Sequence, residues 1–417
     1  MSFEIALAGI STVSSSLDEI SNNIANAGTY GYKSSRANFE AVYADGQTNG
    51  AEVGSVTQSM DKVGGIVNTG NSMDAMIEGQ GFFAVRNENG QVVYTRVGQF
   101  NTDKDGYIVD STGRKLQGYA AVLDKNGQVV QGAALGALGD LKVPAGQIGA
   151  QATTSLAYSG NLSADWTPPA NATFSSNDPT SYNSSVTSVV YDSLGKQHTL
   201  TQYFVDAGVG TTNVYYSFDG ALRQDAVGAA TPDATMSFNA NGQLTALNSA
   251  TMATTPPVGA TFTAAPAGAA PLSVAIDYTN TTSYSGDTTT LGNTANGYTA
   301  GILTGTSISE DGSVVATYSN GLKQTVGTVA LATFADESEL TPLSGTSWAA
   351  NNQTGTPLFS QPGVGAAAKL ATGSLEQSNV DVTSELVDLM TSQQVYQANA
   401  KVISTQSAMM QSLMQAV

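Results

Sequence analysis

The sequence has no cysteine, which excludes disulfides, thiolate-bound zinc and cysteine nucleophiles together. It has one histidine, His198, so a His-pair metal site is excluded and Ser-His-Asp catalysis is disfavoured. Charge is scarce: 12% of the residues are charged, about half the share of an average soluble chain. Bases are the scarcer sign, with 15 Lys and Arg against 33 Asp and Glu and a formal net charge of −18. A chain that tracks phosphates needs clustered Lys and Arg, so no nucleic-acid partner is expected. No uninterrupted apolar run approaches the ~18 residues of a membrane helix, so no membrane insertion is expected. No cleavable secretory signal is expected either, because the first base is Lys33 and Glu4 stands near the start.

The two ends read as helices and the stretch between them as strands. Near the start, Phe3, Leu7, Ile10, Leu17 and Ile24 recur at spacings of three and four, with Ser14 and Ser21 at the remaining seam positions. Val13 and Ile20 widen the stripe, and Asn26-Ala27-Gly28 is a stop signal. At the other end Val382, Leu389, Tyr396, Ile403, Met410 and Val417 repeat every seven residues. Leu386, Gln393, Ala400, Ser407 and Met414 fill the second seam position of a coiled-coil heptad. Ser378-Asn379-Val380-Asp381 just ahead reads as a helix start. After Asp388 the only charge is Lys401. A lone solvated helix carries more charge than this, so most of its surface is expected to pack against something. A hairpin of the two terminal helices within one chain would supply part of that packing and leave much uncharged surface wet.

The middle is expected to be antiparallel β. Asn-Gly or Asp-Gly pairs begin at Asp45, Asn49, Asn89, Asp105, Asn126, Asp219, Asn241, Asn296, Asp311 and Asn320, mostly between apolar runs, a strong hairpin signal. Leu272, Val274, Ile276 and Tyr278 alternate as a strand should, as do Val214, Tyr216 and Phe218. No helical crossover is legible between residues 75 and 370, so parallel βαβ units are not expected. Residues 151–289 contain no Glu, nine Asp, and only Lys196 and Arg223 as bases, a composition shift that suggests an inserted domain. Loose loops are expected at Trp166-Thr167-Pro168-Pro169 and over 251–271. The expected fold is mainly β with terminal helices, made of nested barrel- or sandwich-like domains. Its parts are a coiled-coil domain (1–28 and 378–417), connectors (29–74 and 351–377), an inner β domain (75–150 and 290–350) and an outer inserted domain (151–289).

Motifs that could carry chemistry are weak. Asn101-Thr102-Asp103-Lys104-Asp105-Gly106 matches half a calcium loop, but Thr112 stands where a bidentate Glu is needed, so a hairpin turn is expected. Ser193-Leu194-Gly195-Lys196 has Ser-x-x-Lys spacing without a Lys-Thr-Gly partner. Gly79-Gln80-Gly81 precedes no helix and is expected to pack backbone under a strand. His198 reads as a solvated or half-buried strand residue. No catalytic residue, cofactor or metal site is expected, and the chain is not read as an enzyme.

Several motifs resemble one family. Ile20-Ser21-Asn22-Asn23-Ile24-Ala25-Asn26, followed by Thr29-Tyr30-Gly31-Tyr32-Lys33, is similar to the start of bacterial flagellar rod and hook proteins. Gly81-Phe82-Phe83-Ala84-Val85, Tyr94-Thr95-Arg96-Val97-Gly98-Gln99-Phe100 and Leu116-Gln117-Gly118-Tyr119 resemble the β signature of that group. Gly373-Ser374-Leu375-Glu376-Gln377-Ser378-Asn379-Val380-Asp381 and Tyr396-Gln397-Ala398-Asn399-Ala400-Lys401 resemble its C-terminal end. In order, they cover 1–120 and 370–417. Tyr191-Asp192-Ser193-Leu194-Gly195-Lys196-Gln197-His198, leading into Tyr203-Phe204-Val205, is similar to the hook branch, as is the presence of a large insertion. Gln394 departs from the pattern, where many relatives carry Arg.

The resemblance implies a hook subunit that polymerises with itself into a flexible torque-transmitting tube. The implied partners are rod, hook-cap and hook-filament junction proteins, and the implied exit is a flagellar type III export apparatus, placing the chain outside the cell. The assembly interface would be the helix seams: Phe3, Leu7, Ile10, Leu17 and Ile24 with Val382, Leu386, Leu389, Tyr396, Ile403, Met410 and Met414. A distal rod subunit, an unrelated β-rich fibre or adhesin, and a hydrolase using paired Asp residues are the alternatives.

Overall fold

The computed structural model describes residues 2–44, 47–122, 136–144, 146–222, 231–248, 250–251, 260–364 and 368–416. The turn pairs at Asp45 and Asn126, together with Arg223 and Val417, lie outside the described residues. Two compact units divide the chain. Gly146–Leu303 with Tyr318–Leu322 forms one, and Met1–Ala145, Thr304–Thr317 and Lys323–Val417 form the other.

The first of these is a β-sandwich. One sheet runs in the order Ser184–Tyr191, Gln197–Gly208, Thr211–Phe218, Ala234–Phe238, Leu244–Leu247 and Ala250–Thr251, with Ala221–Leu222 beside Thr211–Phe218. The other holds Ala260–Ala264, Leu272–Asp277, Ser155–Asn161 and Thr281–Thr282, with Thr289–Ala295 also on Ser155–Asn161. Alternate residues of both sheets meet in one core, among them Leu156, Leu200, Phe204, Val214, Val274 and Ile276. Each such burial contributes about 1.5–3 kcal/mol. Ser155–Asn161 runs parallel to Leu272–Asp277 and to Thr281–Thr282, against the antiparallel expectation. The crossover that parallel pairing requires is supplied by the other sheet, so no helix was needed to signal it. Within the expected loop 251–271, Ala260–Ala264 is a strand, a correction, and residues 252–259 are not described.

The second unit has a β body around Phe82–Arg86. This strand pairs with Val92–Thr95 on one edge; the other edge is shared by Leu331–Thr333 and Lys115–Ala120. Met60, Phe82, Ala84, Tyr94, Ala332, Leu340 and Trp348 form one core cluster of it, and the Phe82 and Trp348 rings meet edge-on at 5.5 Å. Gly81 lies under the Ala332 carbonyl, the backbone packing expected of that motif.

Outside this body lie the terminal arms. They are α1 (Ser2–Ala25), β1 (Ser35–Ala44), β2 (Gln47–Gln58), β3 (Ile66–Asn68) and α2 (Val382–Ala416). β1 and β2 form a long hairpin with two register shifts, inside a stretch whose Gly, Ser and Asn content reads as plain connector. Asn49-Gly50 sits within β2 at one of these bulges, not at a turn. Asn296-Gly297 also makes no hairpin; the Asn296 side chain accepts from the Thr154 and Ser155 amides. The pairs at Asn89, Asp105, Asp219, Asn241, Asp311 and Asn320 all turn between neighbouring strands, as expected. The incoming and outgoing arms pair with each other, β3 with Ser374–Glu376 and Ala75–Glu78 with Lys369–Thr372.

Candidate functional site

The arms are built from two antiparallel helices, of which α1 lies on a hairpin. The Asn23 side-chain amide donates to Glu385 Oε1 at 3.0 Å, which sets the end of α1 beside the start of α2. Two-thirds of the way back, a Cβ on Gly9 would stand 2.9 Å from Asn399 Nδ2, so glycine allows the close approach. α1 also packs on β1 and β2. The Asp381 carboxylate caps α2, accepting from the Thr383 and Ser384 amides. Glu385 and Asp388 in the first turns suit the positive end of the helix dipole.

α2 is incompletely covered by this pairing. Its half-buried side chains are Glu385, Leu389, Ser392, Asn399, Ile403 and Gln406, which form one stripe toward α1. None of its described side chains is buried. Of the seam residues named from the sequence, Ile10, Leu17, Ile24, Leu389 and Ile403 are half-buried. Phe3, Leu7, Val382, Leu386, Tyr396, Met410 and Met414 are exposed, Met414 by 72%. The second seam position, which runs through Leu386 and Met414, therefore faces away from α1. Val387, Met390, Val395, Val402 and Met409 are exposed too, so the apolar surface extends round the helix. Beyond Gln406 every described side chain is exposed, and Lys401 makes no ion pair among the described residues.

A second arrangement ties the arms to the β body. The Lys33 ammonium, fully buried, donates to Glu376 Oε1 at 2.8 Å and to the Lys62 carbonyl at 2.7 Å. Arg96, also buried, places Nη1 3.4 Å from Glu376 Oε2 and lies over the Phe82 ring. Burial pushes both bases down from their usual values, and Glu376 offsets part of that. The half-buried Glu337 carboxyl is pushed up by burial, against the pull of Arg96 and Lys33. The Gly64 amide donates to Glu376 Oε1, and a Cβ on Gly64 would overlap the Gln377 carbonyl oxygen, so only glycine fits. Asn379 completes the knot by accepting from the Ser34 amide and donating to the Ser59 and Lys62 carbonyls.

A cleft of about 570 Å³ opens between α1, α2 and the hairpin, lined in part by Glu19, Asn23, Arg36, Phe39, Glu385 and Asp388. Among the described residues, no group of three His, Asp or Glu side chains is placed to hold a metal.

Residues 76–164 match the family described as Flagellar hook protein FlgE/F/G D1 domain. Residues 161–298 match Flagellar basal body protein FlaE D2 domain, and 371–416 match Flagellar basal body rod FlgEFG protein C-terminal. Flagellar hook protein FlgE of Escherichia coli (strain K12) is 34% identical over 415 residues, 99% of each chain. Flagellar hook protein FlgE of Salmonella typhimurium (strain LT2) is 35% identical over 416 residues, again 99% of each. The chain belongs to the flagellar hook protein family. The crystal structure of Helicobacter pylori flagellar hook protein FlgE2 shares the fold, with a TM-score of 0.54 over 75% of this chain and 100% of that one, at 14% identity. The hook family is structural, not enzymatic.

Three motifs of the hook family resemblance, far apart in sequence, meet at the Lys33–Glu376–Arg96 knot. Sequence reading singled out the stretches and gave these residues no role. Nothing in a lone Lys or Glu announces its partner 343 residues away. His198 needs a correction as well. It is buried, with Nδ1 2.7 Å from Asp219 Oδ2 and Nε2 3.3 Å from Asp192 Oδ2, and its ring stacks on Phe218. The signal was present, because His198 shares strand parity with the buried Leu200, Gln202 and Phe204. Burial raises the Asp192 and Asp219 carboxyls. Hydrogen bonds from His198 and from backbone amides outweigh it and hold both below the usual range.

Proposed function

We propose that this chain is a structural subunit of the bacterial flagellar hook, polymerising with itself into a helical tube that bends while transmitting torque. The observation that carries this reading is the surface of α2, where apolar side chains stand exposed along the whole helix and Lys401 is the only charge after Asp388. Exposed apolar surface on this scale marks a contact site. A head-to-tail contact that does not close produces a helical filament. The assembly interface comprises Phe3, Leu7, Ile10, Leu17, Ile24, Val382, Leu386, Leu389, Tyr396, Ile403, Met410 and Met414. The terminal helices line the tube, and the acidic insertion centred on 151–289 lies outermost. Rod, hook-cap and hook-filament junction proteins are its neighbours, and the chain reaches the cell exterior by flagellar type III export.

The test uses residues that are exposed in the single chain. Leu386→Asp and Met414→Asp should each abolish tube formation while changing monomer stability by no more than about 0.5 kcal/mol, as surface substitutions do. Tubes of normal yield and diameter in electron micrographs of both variants would remove α2 from the interface.

A further inference from the structure

We propose that Glu376 is a latch, the positioning residue that holds both terminal arms on the β body, and that its charge is what keeps the latch shut. Glu376 comes from the outgoing arm, Lys33 from the incoming arm and Arg96 from the body. The two cations share one buried site and repel each other; Glu376 is the carboxylate that touches both. Glu337 is the other acid that acts on both cations, and among the described residues it makes no ion pair with them.

The site is poised to open. Arg96 is buried, yet its Nε has no hydrogen-bond partner among the described residues, and its one link to Glu376 is long at 3.4 Å. A buried ion set of this kind stabilises little compared with an apolar set of equal volume, whereas removal of one member leaves uncompensated charge. Two backbone amides of the incoming arm converge on the same residue. The Gly31 amide donates to the Glu376 carbonyl, and the Gly64 amide donates to its carboxylate. Loss of the Glu376 charge therefore loosens 29–35 and 374–381, which lie outside the core around Phe82 and Trp348, while Met60 and Gln58 of the incoming arm stay anchored in it. This inference concerns the single chain and stands apart from the polymer reading.

Amide exchange of the full-length monomer tests it. Glu376→Gln keeps the shape and removes the charge; exchange at 31–35 and 374–379 should quicken by roughly a hundred-fold, with Phe82–Arg86 and Gln197–Gly208 unchanged. Replacing Lys33, Arg96 and Glu376 together by Met should return the arms to within about ten-fold of the parent, since no charge is then stranded. Parent-like exchange in Glu376→Gln would overturn the latch. So would equal loosening of Phe82–Arg86, which would make the site part of the core. A triple variant as labile as the single one would show that charge is not what holds the arms.

Discussion

In the β-sandwich Leu200, Phe204, Val214 and Val274 lie wholly inside, and their immediate chain neighbours Thr201, Tyr203, Asn213, Ser273 and Ala275 reach water. In α2 the distribution is reversed. None of its described side chains is buried, and Met409, Met410, Leu413 and Met414 are each more than half exposed. Both regions are apolar enough to form a core, but only the sandwich forms one from a single chain. The hydrophobic effect acts on whatever surface can be removed from water, so folding completes the sandwich and leaves the apolar surface of α2 open.

The comparison can be pressed hardest by truncating one apolar side chain on each side. Phe204→Ala should destabilise the sandwich by about 3–5 kcal/mol, read as a lower urea midpoint. Val402→Ala, on exposed α2, should leave the monomer within about 0.5 kcal/mol of the parent. Comparable losses at the two sites would mean that α2 is already packed in the single chain.

A smaller effect separates the regions by pH. Burial, with Tyr216 beside it, raises the Tyr278 phenol well above its ordinary 10.0. The phenol donates to Gln202 Oε1 and lies 2.9 Å from the Tyr216 hydroxyl. A group whose folded value is raised contributes stability that is complete below its unfolded value and is lost as pH climbs through the folded one. The sandwich should therefore lose stability as pH rises above that ordinary value. Tyr278→Phe should flatten this dependence while costing about 1 kcal/mol at neutral pH, because Gln202 loses its donor. Urea midpoints on either side of the tyrosine value check both effects; an unchanged alkaline slope in Tyr278→Phe would refute the assignment.

The same contrast explains what was legible in the sequence. Alternation in Leu272, Val274, Ile276 and Tyr278 marks a buried strand face because a sheet repeats every two residues, and all four are buried. The terminal helices are legible from spacing alone, but which side of α2 meets α1 is not. Apolar residues surround the helix, and the contact is chosen instead by Gly9, which admits Asn399, and by the Asn23–Glu385 bond. The β1–β2 hairpin is hidden by bulges and small polar residues that blur its alternation. The latch is hidden because its members are single polar residues from three distant stretches. The burial of His198 is legible in its strand parity, but its clamp is not, because Asp192 and Asp219 come from turns outside its own strand.

Amide exchange along α2, measured in the monomer and in the assembled tube, tests the central claim most directly. The account predicts that 382–416 exchanges much faster than Gln197–Gly208 in the monomer and becomes as protected as that strand in the tube. Equal protection of α2 in monomer and tube would contradict it, because the helix would then need no neighbour to complete it.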